Sequence, residues 1–156
     1  MKITTWNVNG YRAVIRKNAL DWVDDWQPDI LCLQEIKVKT EQLSEDLRER
    51  ENYSASWNSA ERPGYSGTAV FYKPVPEELV HGLGAPEFDD EGRVIRLKYP
   101  DFYLYNIYFP NGGQANQRVP YKLDFYAFLL DQIDALHKAG EQVIITGDFN
   151  TAHNEI

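Results

Sequence analysis

The sequence predicts an α/β protein in which a mixed sheet is flanked by helices. Three observations carry this. "KITTWNV", from Lys2 to Val8, is β-branched and aromatic and reads as a strand. Ile15, Ala19, Trp22, Val23 and Trp26 recur at helical spacing, so residues 12–26 read as an amphipathic helix, stopped by Pro28. "DILCLQE" then reads as a short strand buried on both faces. Strand, helix and strand over about 35 residues is the length of a crossover unit.

The later elements follow the same logic. Residues 40–50 are highly charged, with Leu43 and Leu47 on one face, and predict a short surface helix. "YSASWNS" alternates and predicts a strand, "RPGYSG" a loop, and "GTAVFYK" another strand. Residues 74–92 hold three prolines and three glycines and predict a long irregular connection. "RVIRLKY" puts Ile95, Leu97 and Tyr99 on one face and Arg96 and Lys98 on the other, and pairs with "FYLYNIYF" as a hairpin. Leu123, Tyr126, Ala127, Leu130 and Ile133 mark a long helix closed by Gly140, and the last strand runs from Gln142 to Gly147. No repeat, low-complexity segment or linker interrupts the chain, which reads as a single domain over residues 1–156.

Composition narrows the function classes. No apolar run approaches the roughly 20 residues of a membrane span, and the polar start "MKITTWNVNG" is not a signal sequence. The one cysteine, Cys32, cannot form an internal disulfide, and its apolar neighbours predict an inert buried thiol. A cytoplasmic protein is expected. The net charge of −8 argues against a nucleic-acid partner, because a phosphate backbone favours a basic footprint. A metal-dependent site supplies carboxylates of its own and pulls the other way.

The polar residues gather at strand ends, where α/β sheets place their sites. Glu35 follows the apolar run "ILCLQ" and suits a hard-cation ligand. Taken alone, an exposed residue ending a strand is the better reading. Asn7, still inside its strand, could orient a carboxylate or a metal-bound water, whereas Asn9 before Gly10 suits a turn. Asp148 and Asn150 in "GDFN" could orient a water and donate to a phosphate oxygen, or simply cap a turn. Tyr108 and Asn111 in "YFPNGG" offer a neutral donor, or a base if the phenol is acidified. The loop "GYSG", with Tyr65, Ser66 and Gly67, could approach a phosphate backbone or be a plain loop. His81, His137 and His153 have no metal spacing, which excludes a zinc site of the usual kind.

Together, "TWNVNG", "PDILCLQEIK", "GYSG", "YFPN" and "GDFN" resemble the exonuclease III family of apurinic/apyrimidinic endonucleases, within the endonuclease/exonuclease/phosphatase superfamily. "WNVNGYRA" and "LQEIK" are specific to the abasic-site branch, while "GDFN" marks only the superfamily. The resemblance runs the length of the chain. It implies the N-terminal half of a four-layer α/β sandwich. It also implies Mg²⁺, with Mn²⁺ as the alternative, bound at Glu35 with Asn7 beside it. Tyr108 would touch the scissile phosphate, Asp148 would position or deprotonate water, and Asn150 would stabilise phosphate oxygens. Asn111, Tyr65, Ser66 and Gly67 would lie along double-stranded DNA bearing an abasic site. Asn9 offers at most an indirect metal contact, and Gln114 stands where some members carry an arginine that reaches into the DNA. The implied reaction is cleavage 5′ to the abasic site, with 3′→5′ exonuclease and 3′-phosphodiesterase activity as companions.

The family's C-terminal half supplies a tryptophan-bearing DNA segment, a further aspartate and a Ser-Asp-His motif, none of which occurs here. The resemblance therefore implies an incomplete domain, inactive alone. Its sheet would lack a covering sheet and expose a large apolar face. Poor folding, self-association or pairing with a second chain carrying the other half is the expectation. The alternatives are another superfamily phosphatase or phosphodiesterase, which "LQEIK" and "WNVNGYRA" oppose, and a non-catalytic fragment.

Overall fold

A computed structural model describes residues 1–152. In chain order the elements are β1 (Ile3–Asn7), α1 (Tyr11–Arg16), α2 (Trp22–Trp26), β2 (Ile30–Gln34), α3 (Glu45–Arg48), β3 (Ser54–Asn58), β4 (Thr68–Tyr72), β5 (Glu78–His81), α4 (Pro86–Asp89), β6 (Val94–Lys98), β7 (Tyr103–Tyr108), α5 (Val119–Lys138) and β8 (Val143–Asp148). The strands form two four-stranded sheets, ordered β1-β2-β4-β3 and β5-β6-β7-β8. Each is mixed: β1 runs parallel to β2 and β8 parallel to β7, and the other pairs are antiparallel. The α/β class holds, but the strands divide between two sheets. The prolines at 74 and 76 lie between β4 and β5, where the chain leaves one sheet for the other.

Pleat parity explains the layering. On β2, Leu31 and Leu33 face a cluster with Val14, Leu20 and Val23 of the α1–α2 region. Ile30 and Cys32 face the other way and pack with Val70, Ile95, Leu97 and Leu104, which fill the space between the sheets. On β7, Tyr103, Tyr105 and Ile107 pack under Phe125 and Leu129 of α5. The order helix, sheet, sheet, helix is a four-layer α/β sandwich. The expected uncovered sheet face is not found: each sheet covers the other within this chain.

The inter-sheet core contains one polar pin. Gln34 Nε2 donates to Asn106 Oδ1 at 2.7 Å, and Asn106 Nδ2 donates to the carbonyls of Leu33 and Ala69 at 3.2 and 2.8 Å. Both side chains are buried, so each bond lost leaves a desolvated group behind. Asn106→Leu is expected to lower unfolding free energy by about 2 kcal/mol or more, read by urea denaturation. The double variant Gln34→Leu/Asn106→Leu should cost less than the sum of the single changes; strict additivity would show that the two side chains are not coupled.

Three element predictions change. The helix expected over 12–26 is two helices. After α1, Asn18 takes a left-handed φ of 51°, while Ala19 N–H bonds Val14 O and Asn18 N–H bonds Ile15 O. This is a Schellman stop, which asparagine tolerates without glycine. The helix expected over 40–50 is a 3₁₀ turn at Thr40–Gln42 followed by one turn of α3, because Ser44 between them is extended. The connection 74–92 contains β5 and α4, and its turn is shaped by the Asp89 carboxylate, which accepts N–H bonds from Leu83, Gly84 and Ala85. The stop at Gly140 holds: Gly140 N–H bonds His137 O and Glu141 N–H bonds Leu136 O.

Among the described residues β1 and β8 are each paired on one side only, and lie near one another across the two sheets. A groove of about 760 Å³, lined by Ile3, Thr4, Thr5, Trp22, Asp25 and Trp26, runs beside the first part of β1. It is away from the strand ends that carry the carboxylates. Among the described residues no helix is long and apolar enough to cross a membrane.

Candidate active site

The parity that fills the inter-sheet core also builds the site. Ile3 and Thr5 of β1 turn inward, Ile3 into the core and Thr5 to Gln34, so Asn7 turns inward at the strand end. Leu104 and Asn106 of β7 turn inward, so Tyr108 does also. Val143 and Ile145 of β8 face α5, which sends Asp148 to the opposite face. The two sheets thus deliver polar residues to one mouth.

The bonds there are short and mutual. Asn7 Nδ2 donates to Asp148 Oδ2 at 2.6 Å, linking the sheets, and Asn9 N–H donates to Asn7 Oδ1 at 2.9 Å. Asn150 N–H donates to Asp148 Oδ1 at 3.0 Å, and Asn150 Nδ2 to Phe109 O at 2.8 Å. Tyr108 stands opposite Asp148 in the β7–β8 register, and its acidity responds to both Glu35 and Asn150. Asn7, Glu35, Tyr108, Asp148 and Asn150 therefore share one site. Asn9, Glu35, Lys37 and Asn150 all hold left-handed φ values between 45° and 58°, conformations rare for non-glycine residues and frequent at functional sites.

Gly147 makes this convergence possible. Its φ is +139°, and a Cβ there would lie 1.8 Å from Ile107 O. Only glycine lets β8 approach β7 closely enough to set Asp148 beside Tyr108.

Burial raises the Tyr108 phenol above its ordinary pKa, the Glu35 charge raises it further, and Arg93 opposes only in part. A neutral donor is the form this favours, not a base. Burial also raises Tyr11 and Tyr121 to about 12, and Tyr99 still higher. In the unfolded chain these phenols ionise near pH 10 (about). The stability contributed by their protonated preference is present below the unfolded pKa and is lost as pH rises through the folded values. Urea midpoints should hold up to about pH 9.5 and fall steeply above it. A flat profile well into alkali would contradict this. Burial likewise lifts Cys32 to about 12, the inert thiol expected.

The donor set at Glu35 suits a hard cation. The Lys37 ammonium sits 3.0 Å from Glu35 Oε1 and also donates to Asn9 Oδ1, so two oxygens already converge on one positive charge. No group of three or more His, Cys, Asp or Glu is poised for metal among the described residues. A single carboxylate with neutral oxygens and waters is what Mg²⁺ accepts beside a phosphate.

The other candidates are placed less centrally. Tyr65 is half-buried, while Ser66 is 1% exposed and Gly67 is buried against Ile36, so neither reaches the outer surface of the loop. Asn111 is exposed and accepts the Gly113 N–H; Gln114 is exposed in a 3₁₀ turn. His81 pairs with Ser56 at 2.7 Å at the far side of the sandwich, and His137 lies in the last turn of α5. His153 lies outside the described residues.

Sequence reasoning missed Arg93, Glu91 and Arg118, and set Lys37 beside Glu35 at a strand end without giving it a role. Arg93 is 1% exposed yet charged, with Nε 2.6 Å from Glu91 Oε2. Burial would raise the Glu91 carboxyl, but hydrogen bonds from Arg118 and the charge of Arg93 prevail and lower it. The available signal was "EGR", with Gly92 between two opposite charges.

Comparison with known proteins agrees with this architecture. The profile of the Endonuclease/Exonuclease/phosphatase family matches residues 4–156. An exodeoxyribonuclease of Bacillus subtilis (strain 168) is 42% identical over 157 residues, covering all of this chain and 61% of that protein. The DNA repair nuclease APEX1 of Danio rerio is 41% identical over 162 residues, covering all of this chain and 51% of that protein. The crystal structure of the Xenopus laevis APE2 catalytic domain superposes with a TM-score of 0.84 at 32% identity, over 99% of this chain and 60% of that one. The chain thus spans between about half and three-fifths of the length of these relatives. With the fold, the strand-end residues and the full-length match in agreement, the chain belongs to the endonuclease/exonuclease/phosphatase family, and its relatives lie in the exonuclease III-like abasic-site branch.

Proposed function

We propose that this chain carries the Asn-Glu-Tyr-Asp-Asn part of the active site of a divalent-metal-dependent DNA-repair nuclease. The enzyme cleaves the phosphodiester 5′ to abasic sites in double-stranded DNA, with 3′→5′ exonuclease and 3′-phosphodiesterase activity as further uses of the same site. The observation that carries the reading is the Asn7–Asp148 bond of 2.6 Å, which joins the two sheets at the point where Glu35, Tyr108 and Asn150 also converge.

Glu35 would hold Mg²⁺, or Mn²⁺, with Asn7 beside it; Asn7 keeps a second oxygen lone pair while its nitrogen holds Asp148. When bound, the cation polarises a phosphate oxygen and offsets charge on the leaving oxygen. Asp148, fixed from both sides, orients the attacking water and takes its proton. Tyr108 donates its phenol proton in a hydrogen bond to a phosphate oxygen and stays neutral. Asn150 stabilises the charge that develops on the phosphate. Tyr65 and Asn111 meet the DNA backbone, and Ser66 and Gly67 shape the loop that presents Tyr65.

The test is nicking of a duplex with one abasic site, in Mg²⁺ and in EDTA. The chain alone should not nick. Joined to, or mixed with, the C-terminal portion of a relative, it should nick in Mg²⁺ and stop in EDTA. Cleavage of phospholipid or small phosphate esters in place of DNA would overturn the substrate assignment.

A further inference from the structure

Behind the site, buried Arg93 and half-buried Glu91 and Arg118 form a charged cluster that connects two of its parts. Arg93 uses each nitrogen differently: Nε donates to Glu91 at 2.6 Å, NH1 to Tyr108 O at 2.9 Å and NH2 to the Tyr65 hydroxyl at 3.0 Å. Its guanidinium also lies 4.9 Å from the centre of the Tyr108 ring. Arg118, beside the start of α5, donates to the same Tyr65 hydroxyl at 2.6 Å and to Glu91 at 3.0 Å. The backbone around Arg93 is itself anchored. Asp90 O accepts Glu61 N–H, Gly92 O accepts the Thr68 hydroxyl, and Arg93 O accepts Tyr108 N–H. A Cβ on Gly92 would lie 2.5 Å from Asn58 O, so this turn packs directly against the backbone at the end of β3, which only glycine permits.

A buried arginine is costly unless every charge and donor is matched. Here the matching groups are the phenol of one loop, the backbone of the strand that carries the phosphate-contacting tyrosine, and a shared carboxylate. We propose that Arg93, held by the Glu91 carboxylate that Arg118 also binds, is a positioning residue that locks Tyr65 and Tyr108 into one fixed relation, so that DNA backbone contact and phosphate contact are set together. The kinetic part of this inference rests on the nuclease reading above. A planar fork with three directed donors is needed, which a lysine ammonium cannot supply.

Two measurements test it. Hydrogen exchange on this chain compares wild type, Arg93→Lys, and Asn106→Leu as a control destabilised elsewhere in the core. Arg93→Lys should speed exchange about tenfold or more in both 62–67 and 107–110, while Asn106→Leu should leave 62–67 at its wild-type rate. Unchanged exchange at 62–67 in Arg93→Lys, or equal gains in both variants, overturns the proposal. In the completed enzyme, Arg93→Lys should lose about 100-fold in kcat. Tyr65→Phe should mainly raise KM, and adding it to Arg93→Lys should cost little more. Additive losses, or wild-type kcat in Arg93→Lys, also overturn it. A completed enzyme with no substitution that fails to nick abasic DNA in Mg²⁺ sinks the nuclease reading, and the exchange result still decides the positioning.

Discussion

Asp148→Asn is expected to lower turnover of the completed enzyme by about 10²–10⁴-fold, the usual range for loss of a positioned general base. The side chain is bonded at both oxygens: Oδ2 accepts from Asn7 Nδ2 and Oδ1 from Asn150 N–H. An amide has one acceptor and one donor end. Whichever way it turns, an NH₂ faces another N–H. The change therefore removes the proton acceptor proposed above and also loosens the tie between the sheets at the site. The reading requires that kcat fall far more than duplex affinity, since DNA contact is assigned to other residues. Single-turnover nicking beside an equilibrium binding curve separates the two. A loss confined to affinity would reassign Asp148 to a structural role.

Gly147→Ala is expected to cost about 4 kcal/mol or more of stability, at the extreme end for a single methyl group. The added carbon would lie 1.8 Å from Ile107 O and 2.8 Å from Ile107 C, both backbone atoms of the neighbouring strand. No rotamer relieves a backbone clash, so β7 and β8 must part, and they are the strands that align Tyr108 with Asp148. Gly64→Ala is the proper comparison. Gly64 also has positive φ but meets nothing within 4 Å, so it should show only the left-handed penalty of about 1–2 kcal/mol. Urea unfolding of the two variants should differ clearly. Equal losses would mean that the strand pair yields easily.

The sequence is most informative where the chemistry is local. Alternation in "RVIRLKY" and the apolar run in "DILCLQE" identify strands, and the same parity foretells which side chains turn inward. Asn7, Glu35, Tyr108, Asp148 and Asn150 were readable because each stands at or just past a strand end. Which strand joins which sheet was not readable, because it depends on pairings such as β2 with β4 and β7 with β8, far apart in the chain. The Arg93 cluster was hidden for the same reason. An arginine opening a strand reads as exposed, and its burial depends on partners at 65, 91, 108 and 118. The helix expected over residues 12–26 was cut at Asn18 because a left-handed asparagine stops a helix as a glycine would, with a weaker signal in sequence.

The neighbouring one-sided strands β1 and β8 have a consequence for assembly. Each offers a row of unused N–H and C=O groups, and Trp26 and Ile144 stand exposed on the flanking α2 and on β8. A body that brought strands to both rows would extend both sheets in one step. Half an attachment would pair one row and leave the other solvated, as it already is. At high concentration, with nothing to join, the same rows are the natural template for filaments of the chain upon itself.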